Sequence, residues 1–143
     1  MAKLTLAEAE NIIDAALRAA RAAAAPPLCV AVLDEGGHLK LLKREDGAAL
    51  LRPDIAIGKA WGAVAMQVPS RTIAAVSRDN PQFIAALAAL SGGRVLPNPG
   101  GVLVRGPDGE VLGAVGISGD SPERDEAFAI AGISSAGHRS DPG

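Results

Sequence analysis

The chain has 143 residues and a formal net charge of −2, with 48% hydrophobic and 21% charged residues. This length predicts one domain over residues 1–143, and the near-neutral charge gives no electrostatic reason to bind nucleic acid or an anionic membrane. The three aromatic residues, Trp61, Phe83 and Phe128, are too few for base-stacking platforms. No stretch approaches the ~20 apolar residues of a membrane helix. We therefore expect neither nucleic acid nor a membrane as a partner.

Cysteine content indicates the redox compartment. Cys29 is the one cysteine, so no internal disulfide can form, and this fits a reducing cytoplasm. It lies inside an apolar run, where a thiol is expected to be inert packing rather than a nucleophile. Glu8 and Glu10 stand where a signal peptide would need its apolar core, so we expect a cytoplasmic protein.

The first elements are a helix and two strands. Thr5 and Glu8 have capping-box spacing and begin a helix that we expect to run to about Ala25, before two prolines. The continuous apolar run at 28–33 predicts a central strand, covered on both faces. A Gly-Gly turn then leads into a second strand at 39–44.

Three helices are predicted next. The first covers 54–66 and follows a proline. Ser70 is expected to cap a short helix to about Val76, and Asn80 to cap another over 81–90, with a proline in its first turn.

A hairpin and a last helix complete the chain. Apolar runs at 102–105 and 111–117 flank the turn residues 106–109, whose Gly, Pro and Asp residues favour a hairpin. A helix opens near 120–123, and the polar residues 137–143 are expected to fray. Because the strand connections are short, the sheet should be antiparallel with helices packed on it, which is an α+β fold.

Glycines suggest where a pocket lies. Gly113 and Gly116 interrupt the last predicted strand, where glycine usually marks a bulge or the close approach of a backbone or ligand. Gly58 and Gly62 are four residues apart and make a notch in the second helix. The loop 97–101 ends in glycines with free backbone N–H groups. We therefore predict a cleft between the second helix and this loop.

Several side chains are candidates for chemistry, each with an alternative. Lys59 either pairs an anion in that cleft or is a surface lysine with a buried stem. Arg44, with Asp46 and Gly47, either grips a carboxylate as a bidentate fork or forms a solvated loop with a local ion pair. His38 is either a metal or axial haem ligand or a residue on the rim of the sheet.

Seven short stretches, in their order and spacing, resemble one known family. They lie at residues 4–9, 30–39, 44–48, 54–60, 99–104, 111–119 and 125–127. The family is GlcG/HbpS, which also supplies the C-terminal domain of PduO-type corrinoid adenosyltransferases. The resemblance covers about residues 4–136.

This resemblance implies a profilin-like sandwich with an antiparallel sheet of about five strands. It also implies homo-oligomers and, in some members, binding of haem or a corrinoid. The site residues implied by the family pattern are Arg44, Asp46, Gly47, Lys59, Gly100, Gly101 and Asp125. Two departures lie beside the predicted cleft, namely Trp61-Gly62 in place of a hydroxyl-bearing pair and Asn98 in place of an aromatic residue. Asn98 belongs to the loop 97–101 of the predicted cleft and is counted with the ligand-binding residues.

Three functional hypotheses follow. The first is a small-ligand-binding protein that holds haem, a corrinoid or another anionic ligand in the cleft. The second is an enzyme acting on a small organic acid, with Lys59 or Asp46 as acid/base and Arg44 as the carboxylate clamp. The third is an oligomeric accessory protein without a ligand, in which Trp61 anchors an interface.

Overall fold

The computed structural model describes residues 3–143 as five helices and five strands. In chain order these are α1 (Leu6–Ala22), β1 (Cys29–Asp34), β2 (Leu39–Arg44), α2 (Arg52–Met66), α3 (Ser70–Asp79), α4 (Pro81–Leu90), β3 (Gly101–Arg105), β4 (Val111–Ser118), α5 (Pro122–Ser135) and β5 (Arg139–Asp141). None of the helices within residues 3–143 has both the length and the apolar character needed to cross a membrane.

The strands form one antiparallel sheet in the order β2-β1-β4-β3-β5. Because strand side chains alternate between faces, Val30 and Ile117 point into a core shared with α1 and α5. Cys29 and Ala31 point the other way, towards Ala56 of α2. The predicted α+β fold with about five antiparallel strands is confirmed.

Two strand glycines let α2 lie directly on the sheet. A Cβ on Gly116 would stand 1.9 Å from the carbonyl oxygen of Ala56, and one on Gly101 would stand 2.2 Å from that of Lys59. No side chain fits at either place, so the α2 backbone contacts β3 and β4 without an intervening layer. Of the two strand glycines predicted to mark a close approach, Gly116 therefore receives the chain's own helix, whereas a Cβ on Gly113 would meet the Leu33 carbonyl of β1 at 2.0 Å.

Helix α1 begins at the predicted capping box but ends earlier than predicted. The Thr5–Glu8 capping box is present, with both reciprocal bonds formed. α1 ends at Ala22 rather than Ala25, because Ala24 adopts a left-handed φ of 54° and the Ala25 N–H donates back to the Ala20 carbonyl.

The prediction that residues 137–143 fray is wrong for residues 139–141. Residues Arg139–Asp141 form β5 and pair with β3. The Arg105 Nε donates to Asp141 Oδ2 at 2.7 Å, and the His138 ring bonds the Glu8 carboxylate. A three-residue strand held by such distant side chains leaves no apolar pattern in the sequence.

Cys29 is expected to be unreactive in the native protein. It is fully buried, and burial raises the pKa of its thiol to about 11. Because the thiolate is the reactive form, a thiol reagent should modify native protein very slowly from pH 7 to ~9 and react at once in denaturant. Labelling followed by mass spectrometry tests this, and rapid labelling of native protein at neutral pH would contradict the burial.

Candidate functional site

Buried polar side chains gather at one end of the sheet. They lie where β3 begins and β4 ends, under α2 and the first turns of α3 and α5. Within residues 3–143 these buried polar or charged residues are Lys59, Ser70, Ser118, Asp125 and Glu126. We call this group the polar cluster. Since a buried polar group is costly unless it is hydrogen-bonded, the partners of each member decide what the cluster does.

Lys59 and Asp125 form the centre of the polar cluster. The Lys59 ammonium lies 3.2 Å from Asp125 Oδ2 and donates to the Ile117 carbonyl at 2.8 Å. The two side chains are 2% and 1% exposed. Burial lowers the pKa of Lys59 and raises that of Asp125, while the attraction between the two groups opposes both shifts. Lys59 is therefore an interior ion-pair residue, not a surface lysine.

Two arginines reach the polar cluster from its rim. Arg52 Nη1 donates to the Ser118 hydroxyl at 3.0 Å. Arg71, half of whose side chain is exposed, holds buried Glu126 with both Nε and Nη2. Sequence reasoning did not assign these four residues to a site, because their pairing joins segments more than fifty residues apart.

Ser70 has a different role from the predicted one. It is the first residue of α3, not its cap, and its hydroxyl accepts a 2.7 Å bond from the Gly101 N–H. This bond fixes the start of β3 against α3. The free N–H group expected at the glycine end of the loop is thus already used inside the chain.

The chain itself fills the predicted cleft over α2. A Cβ on Gly58 would be 3.4 Å from the Leu96 Cβ, and one on Gly62 would be 3.7 Å from Val95. Gly100, at φ +122°, passes so close to Lys59 that a Cβ would be 2.9 Å from the ammonium. The structure thus brings Lys59, Gly100, Gly101 and Asp125 together in the interior. Asn98, in the same loop as the two glycines, is partly buried. Their role in ligand binding stays a prediction.

Arg44, Asp46 and Gly47 lie at the same end of the sheet, two strands away. Arg44 pairs in register with Cys29, whose other neighbour is Ser118. Arg44 and Asp46 line a surface cavity of about 470 Å³ at the edge of the sheet next to α1. Arg44 Nη1 donates to the Ala48 carbonyl at 3.1 Å, so its hydrogen-bond partner there is a neutral group.

His38 lies at the tip of the β1–β2 hairpin, where a shallow hollow opens against α2. The His38 side chain is 82% exposed, and its Nδ1 lies 3.4 Å from Asp34 Oδ1. A Cβ on Gly36 would meet that nitrogen at 2.8 Å, and one on Gly37 would stand 3.2 Å from the Trp61 indole nitrogen. The hollow measures about 200 Å³ and is lined by Glu35, Gly36, Gly37, Trp61, Val64 and Ala65. We call it the hairpin hollow.

These features define a class of protein: a small α+β domain with one antiparallel sheet, a helix seated on strand glycines and a buried Lys–Asp pair beneath it. The chain belongs to the HbpS-like family, whose model, described as "Haem degrading protein HbpS-like", matches residues 4–134. The resemblance stated from sequence is thereby confirmed.

The chain is similar in sequence or in structure to three named proteins. The chain is 32% identical over 107 residues to the corrinoid adenosyltransferase PduO of Salmonella typhimurium, covering 75% of this chain and 31% of that protein. Its structure is similar to that of PduOC in a complex with haem, with a TM-score of 0.87 at 26% identity over 98% of this chain and 99% of the other. It is also similar to a double mutant of Streptomyces reticuli HbpS, with a TM-score of 0.79 at 29% identity over 94% and 87% of the two chains.

Proposed function

We propose that this protein binds a tetrapyrrole, haem in the first place and a corrinoid as the alternative, at the hairpin hollow with His38 as the ligand to the metal. The observation that carries the proposal is an exposed imidazole on the hairpin turn whose two glycines line a hollow against the Trp61 indole. Its Nδ1 faces the Asp34 carboxylate, so Nε2 is the nitrogen available to a metal. The relative solved with haem supports the choice of ligand.

The donors present fit a metal-bound tetrapyrrole. Such a group needs a strong axial ligand such as an imidazole or a thiolate. His38 is accessible, whereas His138 is bonded to Glu8 and only 18% exposed. Cys29 is excluded because its thiol is buried and the pKa is raised. His38 is therefore the donor that an incoming ligand can reach.

The walls of the hairpin hollow suit one edge of a macrocycle. Val64 and Ala65 give an apolar floor on α2, and the Trp61 indole offers an aromatic face. A volume of about 200 Å³ accepts an edge of the ring and leaves the rest uncovered. Bound haem would supply an iron centre with redox chemistry; the chain would position it through His38, orient the imidazole through Asp34 and exclude water along α2.

Titration with hemin tests this proposal. We expect a saturable Soret shift at about one hemin per chain with quenching of Trp61 fluorescence, and we expect His38→Ala to abolish the shift. His138→Ala is the matched control and should behave as the wild type. A shift that persists in His38→Ala would place the ligand elsewhere, with the 97–101 loop and Lys59 next to be examined. Cobalamin in a parallel titration distinguishes the corrinoid.

A second candidate function, binding or conversion of a small organic acid, is favoured by Arg44. Its guanidinium bonds a neutral carbonyl beside a cavity of about 470 Å³, which suits a carboxylate ligand. Asp46 lines the same cavity and is the candidate acid/base group there. The haem proposal would give way to this one if hemin gave no saturable shift while small carboxylates raised the Tm of the wild type but not of Arg44→Gln.

A further inference from the structure

Two arginines face each other across the last pair of strands. In the register of β3 with β5, Arg105 stands directly opposite Arg139, and residues so placed share one face of a sheet. Arg105 Nη1 donates to the Gly109 carbonyl at 2.7 Å, and a Cβ on Gly109 would stand 3.7 Å from Arg139 Nη2. Two guanidinium groups therefore meet at one residue of the β3–β4 turn. Like charges opposite each other oppose strand pairing, so an anion bound to both would stabilise it.

The chain itself neutralises one of the two arginines. Asp141 Oδ2 accepts a 2.7 Å bond from Arg105 Nε. Arg139 is exposed, and no carboxylate within residues 3–143 forms an ion pair with it. The Glu110 carboxylate accepts a 3.1 Å bond from the Asp108 N–H and so is held in the turn. One positive charge is therefore left without a counterion at this place.

A cavity of about 470 Å³ lies against the same two arginines. Its wall also includes His138 and the apolar residues Pro107 and Leu112, and none of the described residues that line it is acidic. The His138 ring is bonded to the Glu8 carboxylate, so it adds no unpaired charge. Small-molecule sites measure about 300–1,000 Å³, and this cavity lies within that range. We call it the arginine cavity.

We propose that the arginine cavity binds a small organic anion that has one carboxylate and an apolar body. The planar guanidinium group matches a carboxylate with two parallel hydrogen bonds. A single uncompensated positive charge favours a monoanion, because the second charge of a phosphate dianion would find no cation there. Pro107 and Leu112 offer the apolar surface for the hydrocarbon part. The arginine cavity shares no lining residue with the hairpin hollow, so this inference does not depend on tetrapyrrole binding.

The bound anion would also strengthen the attachment of β5. It would neutralise the charge of Arg139 opposite Arg105 and connect the two strands, and a ligand that binds only the folded chain raises the stability of that chain. Arg139→Gln removes the opposed charge directly. Without ligand, this variant should therefore be at least as stable as the wild type, so a loss of binding in it would not reflect unfolding.

NMR titration of ¹⁵N-labelled protein with hexanoate at low ionic strength tests the proposal. We expect saturable shifts of the backbone amides of residues 105–112 and 137–141, and we expect Arg139→Gln to weaken binding at least ~10-fold. Arg78→Gln is the matched control, because it changes the net charge equally at an exposed residue of α3 that does not line the cavity. It should bind hexanoate as the wild type does.

Two further compounds test the chemistry of the ligand. Hexanamide has the same size without the charge and should cause no saturable shift, and inorganic phosphate should bind more weakly than hexanoate. Equal binding by Arg139→Gln and the wild type, an equal loss in Arg78→Gln, or tighter binding of hexanamide or phosphate than of hexanoate would overturn the proposal. Shifts confined to residues 43–46 would also contradict it, since they would place the carboxylate in the cavity next to Arg44.

Discussion

Replacement of Lys59 by Met is expected to lower the free energy of unfolding by about 3–5 kcal/mol. The change removes the cation that neutralises Asp125 and the donor to the Ile117 carbonyl, and both acceptors remain buried. The total free energy of unfolding of a domain is ~5–15 kcal/mol, so this one substitution would remove a large share of it. Urea unfolding followed by Trp61 fluorescence measures the loss.

A double variant separates the charge from the packing. Asp125→Asn keeps an oxygen to accept the bond from the Asp120 N–H, which spans 2.9 Å in the native protein, but it removes the negative charge. Lys59→Met combined with Asp125→Asn should therefore be clearly more stable than Lys59→Met alone. If the two changes were simply additive, the ion pair would not be the source of the effect.

Replacement of Gly116 by Ala is the second large effect. An alanine Cβ there would lie 1.9 Å from the carbonyl oxygen of Ala56, which belongs to the α2 backbone and cannot rotate away. α2 would have to lift from β4, so we expect at least about 3 kcal/mol of destabilisation or failure to fold. Thermal unfolding by circular dichroism, or recovery of folded protein when the variant does not accumulate, gives the measurement.

Gly58→Ala is the matched control on the other side of the same helix. Its Cβ would make an ordinary contact of 3.4 Å with the Leu96 Cβ, and alanine favours the helix by about 1 kcal/mol over glycine. This variant should be as stable as the wild type or more stable. Similar losses for Gly58→Ala and Gly116→Ala would show that α2 tolerates no change on either side and would contradict the role given to the strand glycine.

Local patterns predicted the elements well. The capping box at Thr5, the cap at Asn80 and both hairpins depend on neighbouring residues, and all occur where the sequence indicates. The last helix opens within the predicted segment 120–123, where the Ser121 hydroxyl accepts the capping bond from the Arg124 N–H.

Sequence patterns could not predict the contacts inside the polar cluster. Lys59 and Asp125 are 66 positions apart, and nothing local shows which acid, if any, meets the lysine. The glycines of α2 were correctly taken as a place of close approach, yet residues Val95 and Leu96 of the same chain fill that space. The sequence alone cannot distinguish a notch that binds a ligand from one that is filled by a loop of the same chain.

The two borders of the sheet resist unwanted strand addition by different means. β2 carries Lys40 and Lys43 along an open border, and lysines there discourage pairing with other chains. β3 is almost wholly apolar and would be a strong template for aggregation, but β5 occupies its free hydrogen-bonding groups. The three residues of β5 therefore serve chiefly to keep β3 from pairing with other chains. Substitutions that detach β5 would appear first as loss of solubility rather than as loss of the core.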